Sequence, residues 1–228
     1  MLPNRFSIAL LTLFLAAHAH AQVPPSTEEI ARYTGLHAAA AKGDIMGIAV
    51  AGMARANLEQ RDSNGRTPLH VAVFLKQYAV ARALLTAGAD ANALEAQKYD
   101  IATIAAVAND VEMLKLALAA GASAKNITSP YEGTALIAAA HLGHVEVVKT
   151  LIAAKAPLDH VNNLGWTALL EAVILGDGGR NHVAIVRALV EAGAKLELAD
   201  RQGVTPLGHA RRRGHAQMIS ILERAGAR

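Results

Sequence analysis

The chain has no cysteine, a single tryptophan and only 4% aromatic residues. Without thiols it can hold no disulfide, no Cys-ligated zinc or iron–sulfur centre and no cysteine nucleophile. With so few rings to fill a core, close packing must come from small side chains, and 50 of the 228 residues are alanine. Alongside 53% hydrophobic and 18% charged residues, this describes a folded chain of closely approaching helices. Net charge is scarce too. A balance of +3 over the whole length gives no electrostatic case for a nucleic-acid partner. Past residue 21, no run of about 20 apolar residues free of charge and glycine could span a bilayer, so no integral membrane segment is expected there.

The start of the chain is different. Arg5 precedes the apolar run from Phe6 to Ala17, and Ala19-His20-Ala21 puts small residues at the −3 and −1 positions of a cut before Gln22. A basic start, a short apolar stretch and a small-residue exit read as a secretory signal peptide over residues 1–21. About 12 apolar residues are too few for a membrane anchor. The expected product is soluble and periplasmic or secreted. Residues 22–33 form a lead-in, where Ser26 and Glu29 have the spacing of a capping box.

From there on the chain repeats itself. Thr34-Gly35-Leu36-His37, Thr67-Pro68-Leu69-His70, Asp100-Ile101-Ala102-Thr103, Thr134-Ala135-Leu136-Ile137, Thr167-Ala168-Leu169-Leu170 and Thr205-Pro206-Leu207-Gly208 are related starts at intervals of 33, 33, 34, 33 and 38 residues. A second ladder, Gly88-Ala89, Gly121-Ala122, Lys155-Ala156, Gly193-Ala194 and Gly226-Ala227, closes the units. Residues 62–94 show the physics of one unit. Asp62-Ser63-Asn64-Gly65 is a turn, Thr67 an N-cap and Pro68 the first helical residue, with Leu69, Ala72 and Val73 as the inward stripe. A second stripe of Val80, Ala83, Leu84 and Ala87 runs to Gly88, which ends a helix in a left-handed conformation. Neither short helix can bury its apolar face alone, so the units must stack into a solenoid.

The Asp-x-x-Gly-x-Thr-Pro-Leu-His-x-Ala start, the Gly143-His144-Val145-Glu146-Val147-Val148 segment and the Gly-Ala ends resemble ankyrin repeats, and with the leader the chain resembles the exported ankyrin-repeat proteins of Gram-negative bacteria. The resemblance covers roughly residues 34–228. It implies an all-α ankyrin-repeat solenoid of about six helix-turn-helix repeats joined by β-turns, over 34–61, 62–94, 95–127, 128–161, 162–199 and 200–228. It departs from the pattern in three places. Gly47 and Gly52 lie in the first unit's second helix; Asp100 and Ile101 replace the capping Thr and Pro of the third; Asp177-Gly178-Gly179-Arg180-Asn181 is inserted between the helices of the fifth and accounts for the interval of 38.

Catalytic candidates are thin. Eight of the ten histidines lie beyond residue 21. His37 and His70 hold the motif's fourth position, where the family's histidine bonds to neighbouring turn backbone, and His144, His182 and His215 open second helices. The serines sit in no nucleophile elbow. The glycines at 178 and 179 lack the strand and lysine of a phosphate loop. No enzyme activity, catalytic residue, cofactor or metal is expected. The alternatives are a metal-binding or hydrolytic protein using His141, His144, Glu171 and Asp177 around the insertion, and a peripheral membrane scaffold using the C-terminal unit, which carries six arginines against Asp200 and Glu223.

The resemblance also implies a concave surface made of turn tips and the open side of each first helix, through which family members bind other proteins. Carried over by position, its occupants here are Phe74, Leu75, Tyr99, Val107, Tyr131, His141, Leu142, Leu164, Trp166, Ile174 and Leu175, with Arg212 and Arg213 beyond them. Four of the six aromatics after residue 21 fall on this surface, and an exposed apolar run of that kind marks recognition. The expected partner is another protein, periplasmic and bound by a monomer. Resemblance to exported members makes an envelope enzyme the implied partner class.

Overall fold

Four of the six units open on a tight turn whose first residue bends the chain through its own side chain. Asp62 Oδ1 accepts from the backbone N–H groups of Asn64 and Arg66, both at 2.9 Å. Asn162 does the same for Leu164 and Trp166, and Asp200 for Gln202 and Val204. In the third unit, where the sequence pattern fades, Glu95 takes this role with Oε1 at 3.0 Å from the N–H groups of Gln97 and Tyr99. Asp100 then caps the following helix in place of threonine, accepting from Thr103 N at 2.8 Å. A short acidic side chain satisfies the orphan amides of a helix start as a hydroxyl does, so the substitution keeps the fold.

The computed structural model describes residues 22–54 and 56–228, and the proposed signal peptide lies outside them. Thirteen helices occur among the described residues. A lead-in helix α1 (Thr27–Arg32) precedes six pairs: α2 (Gly35–Lys42) with α3 (Ile45–Met53), α4 (Pro68–Phe74) with α5 (Tyr78–Thr86), α6 (Ile101–Val107) with α7 (Val111–Ala119), α8 (Ala135–Leu142) with α9 (Val145–Ala153), α10 (Ala168–Ile174) with α11 (Arg180–Glu191), and α12 (Pro206–Arg213) with α13 (Ala216–Arg224). The first helices pack side by side in one row, with the second helices behind them. Alanine at Ala72, Ala105, Ala106, Ala139, Ala140, Ala172 and Ala210 is at most 1% exposed, which lets the first row approach closely. Larger side chains such as Leu69, Ile104, Leu136 and Leu169 fill the layer between the rows. The described residues include one isolated bridge, Thr128 with Gly133, and no strand.

The unequal intervals have local causes. In the fourth unit the turn closes Thr128 N onto Gly133 O, five residues on, where Asp62 closes onto Arg66 O, four on. That extra residue gives the interval of 34. In the fifth, the insertion is shared: Gly179 is the N-cap and α11 runs for 12 residues, so Arg180 and Asn181 belong to the helix and not to the connecting loop. Gly178 lies in that loop at φ +73°, where a Cβ would come 2.8 Å from His215 Cδ2, so the loop seats directly on the next unit.

The lead-in is tied down as well. Ser26 and Glu29 form a reciprocal capping box at the start of α1. Glu29 Oε1 also lies 2.6 Å from Arg66 Nη2, while Arg66 Nε meets Asp62 Oδ2 at 2.7 Å and its Nη1 donates to Val23 O at 3.1 Å. Tyr33 donates its hydroxyl to the same Asp62 oxygen at 2.6 Å. Arg66 is fully buried under this segment.

The motif histidines bridge units. His37 Nε2 lies 2.9 Å from Arg66 O and His70 Nε2 lies 3.2 Å from Tyr99 O. Because Thr67 N–H donates to His70 Nδ1, this ring is the neutral tautomer with its proton on Nε2. Burial pushes its pKa down to about 4 against a smaller opposing effect of the Tyr99 carbonyl. Below pH 6.5 the unfolded chain therefore takes up a proton that the folded chain refuses, and stability falls as the pH falls towards 4. The loss specific to His70 is on the order of 3 kcal/mol by pH 4. Denaturant melts at pH 7 and 4.5 should show a smaller loss of stability in His70→Asn than in the wild type.

Candidate protein-binding face

The open side of the first-helix row carries one well-formed recess. It is lined by α6, α8 and α10 and by the turns before α8 and α10, and has about 700 Å³ of free space, its mouth included. Val107, Tyr131, Leu142 and Leu164, all half-buried, form its apolar walls. Its polar lining comes from Thr103, Thr128, Ser129, Asn162, His141 and Glu171.

Six of the positions expected on the concave surface meet here: Tyr99, Val107, Tyr131, His141, Leu142 and Leu164. Tyr99 differs from expectation in being buried, at 5% exposure; it lines the floor while its ring belongs to the core. Its desolvation, with the Glu95 charge nearby, raises the phenol to about 12. Ile174, expected on the open surface, is likewise buried, at 6% exposure. Phe74 and Leu75 are half-buried against the core and do not line the recess. Trp166 and Leu175 are half-buried outside it. None of the aromatics beyond residue 21 is exposed, so the apolar surface is narrower than the residue pattern suggests.

At the far end Arg212 is exposed, while Arg213 Nη2 reaches Gly176 O at 3.3 Å and Arg211 pairs with Glu223 at 2.7 Å. Two of the three arginines thus hold partners within the chain, a positive cluster suited to the C-terminal end of α12.

Among the recess residues that the positional pattern missed, three bear on its chemistry. Glu171, the only charge in the α10 sequence Ala-Leu-Leu-Glu-Ala-Val-Ile, sits on the first-helix stripe four residues after the capping Thr167. Its side chain is 5% exposed, with Oε2 3.2 Å from His141 Nδ1 and Oε1 accepting from Asn162 Nδ2 at 3.1 Å. A lone acid on an otherwise apolar stripe was the available signal. Asn162, which also opens the turn before α10, was not singled out from the sequence. Gln22 enters the recess from the lead-in, a placement with no local sequence signature.

The residues offered as metal ligands are otherwise engaged: His141 pairs with Glu171 at 3.2 Å, His144 Nδ1 lies 2.9 Å from Ala106 O, and Asp177 Oδ1 lies 3.1 Å from His182 Nδ1. Among the described residues no three His, Asp or Glu side chains are grouped to hold a metal ion. No described helix is long and apolar enough to cross a membrane.

A family model described as ankyrin repeats in three copies matches residues 6–95 and 102–200. The chain is 35% identical over 190 residues to the ankyrin repeat protein YahD of Escherichia coli K12, covering 83% of this chain and 94% of YahD. The crystal structure of an ankyrin repeat domain from Acinetobacter baumannii AYE is 45% identical, with a TM-score of 0.79 over 85% of this chain and 98% of that one. That of EF0377, an ankyrin repeat protein, is 30% identical, with a TM-score of 0.78 over 86% and 100%.

Proposed function

The chain belongs to the ankyrin-repeat family, and from that premise we propose that it is a non-enzymatic interaction module of the cell envelope that grips a partner protein on its concave face. Ankyrin repeats are interaction modules in general. The observation that carries the reading is the recess. Val107, Tyr131, Leu142 and Leu164 stay half-buried around an open cavity on the side of the stack where first helices and turn tips meet. Such concavities, apolar with a few placed polar groups, are the usual form of a binding site. The leader-like residues 1–21 support export, and the resemblance to exported family members supports an envelope enzyme as the partner class.

The test is capture from envelope extract, comparing wild type with Leu164→Asp, Leu142→Asp and Trp166→Ala. Hot-spot losses of about 2 kcal/mol, roughly 30-fold in affinity, are expected for at least the two leucine variants, with melts unchanged. Undiminished capture by all three would remove the concave face from the interaction. Export is tested separately by the mass of protein recovered from the periplasmic fraction, which should begin at Gln22.

A further inference from the structure

We propose that the recess between the third, fourth and fifth units takes the basic side chain, lysine or arginine, of a peptide segment of the partner. The inference rests on the concave-face reading above and specifies its chemistry.

Glu171 is a buried carboxylate that no lysine or arginine approaches among the described residues; its sole ion-pair partner is His141, at 3.2 Å. Burying a carboxylate is costly unless charge and hydrogen bonds compensate it. His141 and Asn162 supply one hydrogen bond to each oxygen, and each oxygen keeps acceptor capacity. Here that capacity lies beside open space. A guanidinium or ammonium would fill it with charge-assisted bonds. The walls fit the rest of such a side chain. Val107, Leu142 and Leu164 offer apolar surface for the aliphatic stem, and Tyr131 lines the same recess.

A second group points to peptide and not to a free amine. Gln22 lines the same recess, and its Nε2 is buried with no hydrogen-bond partner among the described residues. An orphan amide donor costs about 1–3 kcal/mol, and a carbonyl oxygen relieves it. One recess therefore holds an unfilled acceptor for a cation and an unfilled donor for a carbonyl. A backbone segment bearing a basic side chain satisfies both.

The probe is a pair of blocked peptides, acetyl-Ala-Arg-Ala-amide and acetyl-Ala-Ala-Ala-amide, titrated into the purified protein by NMR. The arginine peptide should give saturable shifts at Tyr131, His141 and Leu164, with a Kd on the order of millimolar, and the alanine peptide none. Glu171→Gln should weaken binding by about tenfold or more. Because that change also alters the His141–Asn162 network, Ala138→Gln is the second variant. It fills the recess from the exposed side of α8 with a good helix former and leaves Glu171 untouched, and it should abolish the shifts while the melt stays in place. Equal shifts from both peptides, shifts mapping elsewhere, or wild-type affinity in both folded variants would overturn the proposal. The two readings separate on the captured partner. If Leu164→Asp releases it while Glu171→Gln and Ala138→Gln do not, the basic-side-chain site fails and the concave face stands; if none of the three matters, both fail.

Discussion

Arg66→Ala is expected to destabilise the protein by about 3–5 kcal/mol and to loosen residues 22–33. The side chain is fully buried and satisfies three acceptors from separate stretches of chain: Asp62, Glu29 and the Val23 carbonyl. Truncation would leave the Asp62 carboxylate, 7% exposed, without its counter-charge. Arg66→Lys should recover only part of the loss, since a single ammonium cannot reproduce a planar fork bonded at three points. The network also carries a pH signature. Burial alone would raise Asp62, but bonds from the Tyr33 hydroxyl and from Arg66 outweigh it and hold the carboxyl below its ordinary range. Glu29 is lowered mainly by the Ser26 N–H, with Arg66 adding to it. Both groups have depressed folded pKa values, so their stabilisation is present above the unfolded carboxylate range and disappears as pH falls through the folded values. Arg66→Ala should show a shallower decline in acid than the wild type. Urea melts across pH, with hydrogen exchange over residues 22–33, measure both effects. A loss below about 1 kcal/mol with unchanged exchange would show that the lead-in is held by its apolar contacts instead.

Leu169→Ala, and equally Leu69→Ala, should cost about 2–5 kcal/mol through the cavity left between rows of helices. Each side chain is 1% exposed and belongs to the continuous core. In a stack whose stability is a sum of unit and neighbour terms, loss at the fifth unit also weakens its junctions with the fourth and sixth. Leu164→Ala, half-buried at the mouth of the recess, should cost no more than about 1 kcal/mol. Parallel melts decide the matter. If Leu164→Ala were as damaging as Leu169→Ala, the recess wall would be part of the packing and not a surface awaiting a partner.

Much of the stack was legible because its signals are local. The cap-and-stripe pattern Thr67-Pro68-Leu69 with Ala72 and Val73 specifies one helix, and repetition specifies the neighbours it needs. Even the weak third start was recoverable, since Asp100 caps as threonine does. The concave face was less legible. Tyr99, just before the cap of the third unit, was carried onto the open groove by position yet is buried, as is Arg66 at the same place in the second. The reason for Arg66 is tertiary. Residues 22–33 fold back over the start of the row, with Pro25 buried and Val23 accepting from Arg66, and no periodicity in the lead-in announces where it will lie. Glu171, named only in the metal-binding alternative, was left off the concave face for the opposite reason: a positional template looks for apolar occupants and passes over a charge, although a charge on that stripe is the more informative residue.

The position of Gln22 bears on how binding should be measured. In a chain that begins at Gln22, as the signal-peptide reading proposes, an affinity handle or fluorescent fusion placed at that residue would start at the recess, crowd the face under study and imitate loss of the partner. Arg228 lies in the sixth unit, where its N–H meets Glu197 Oε1 at 3.1 Å, remote from the third-to-fifth-unit recess. Immobilisation through the carboxyl end leaves the concavity free, and comparing the two orientations reports how closely the chain's own beginning guards it.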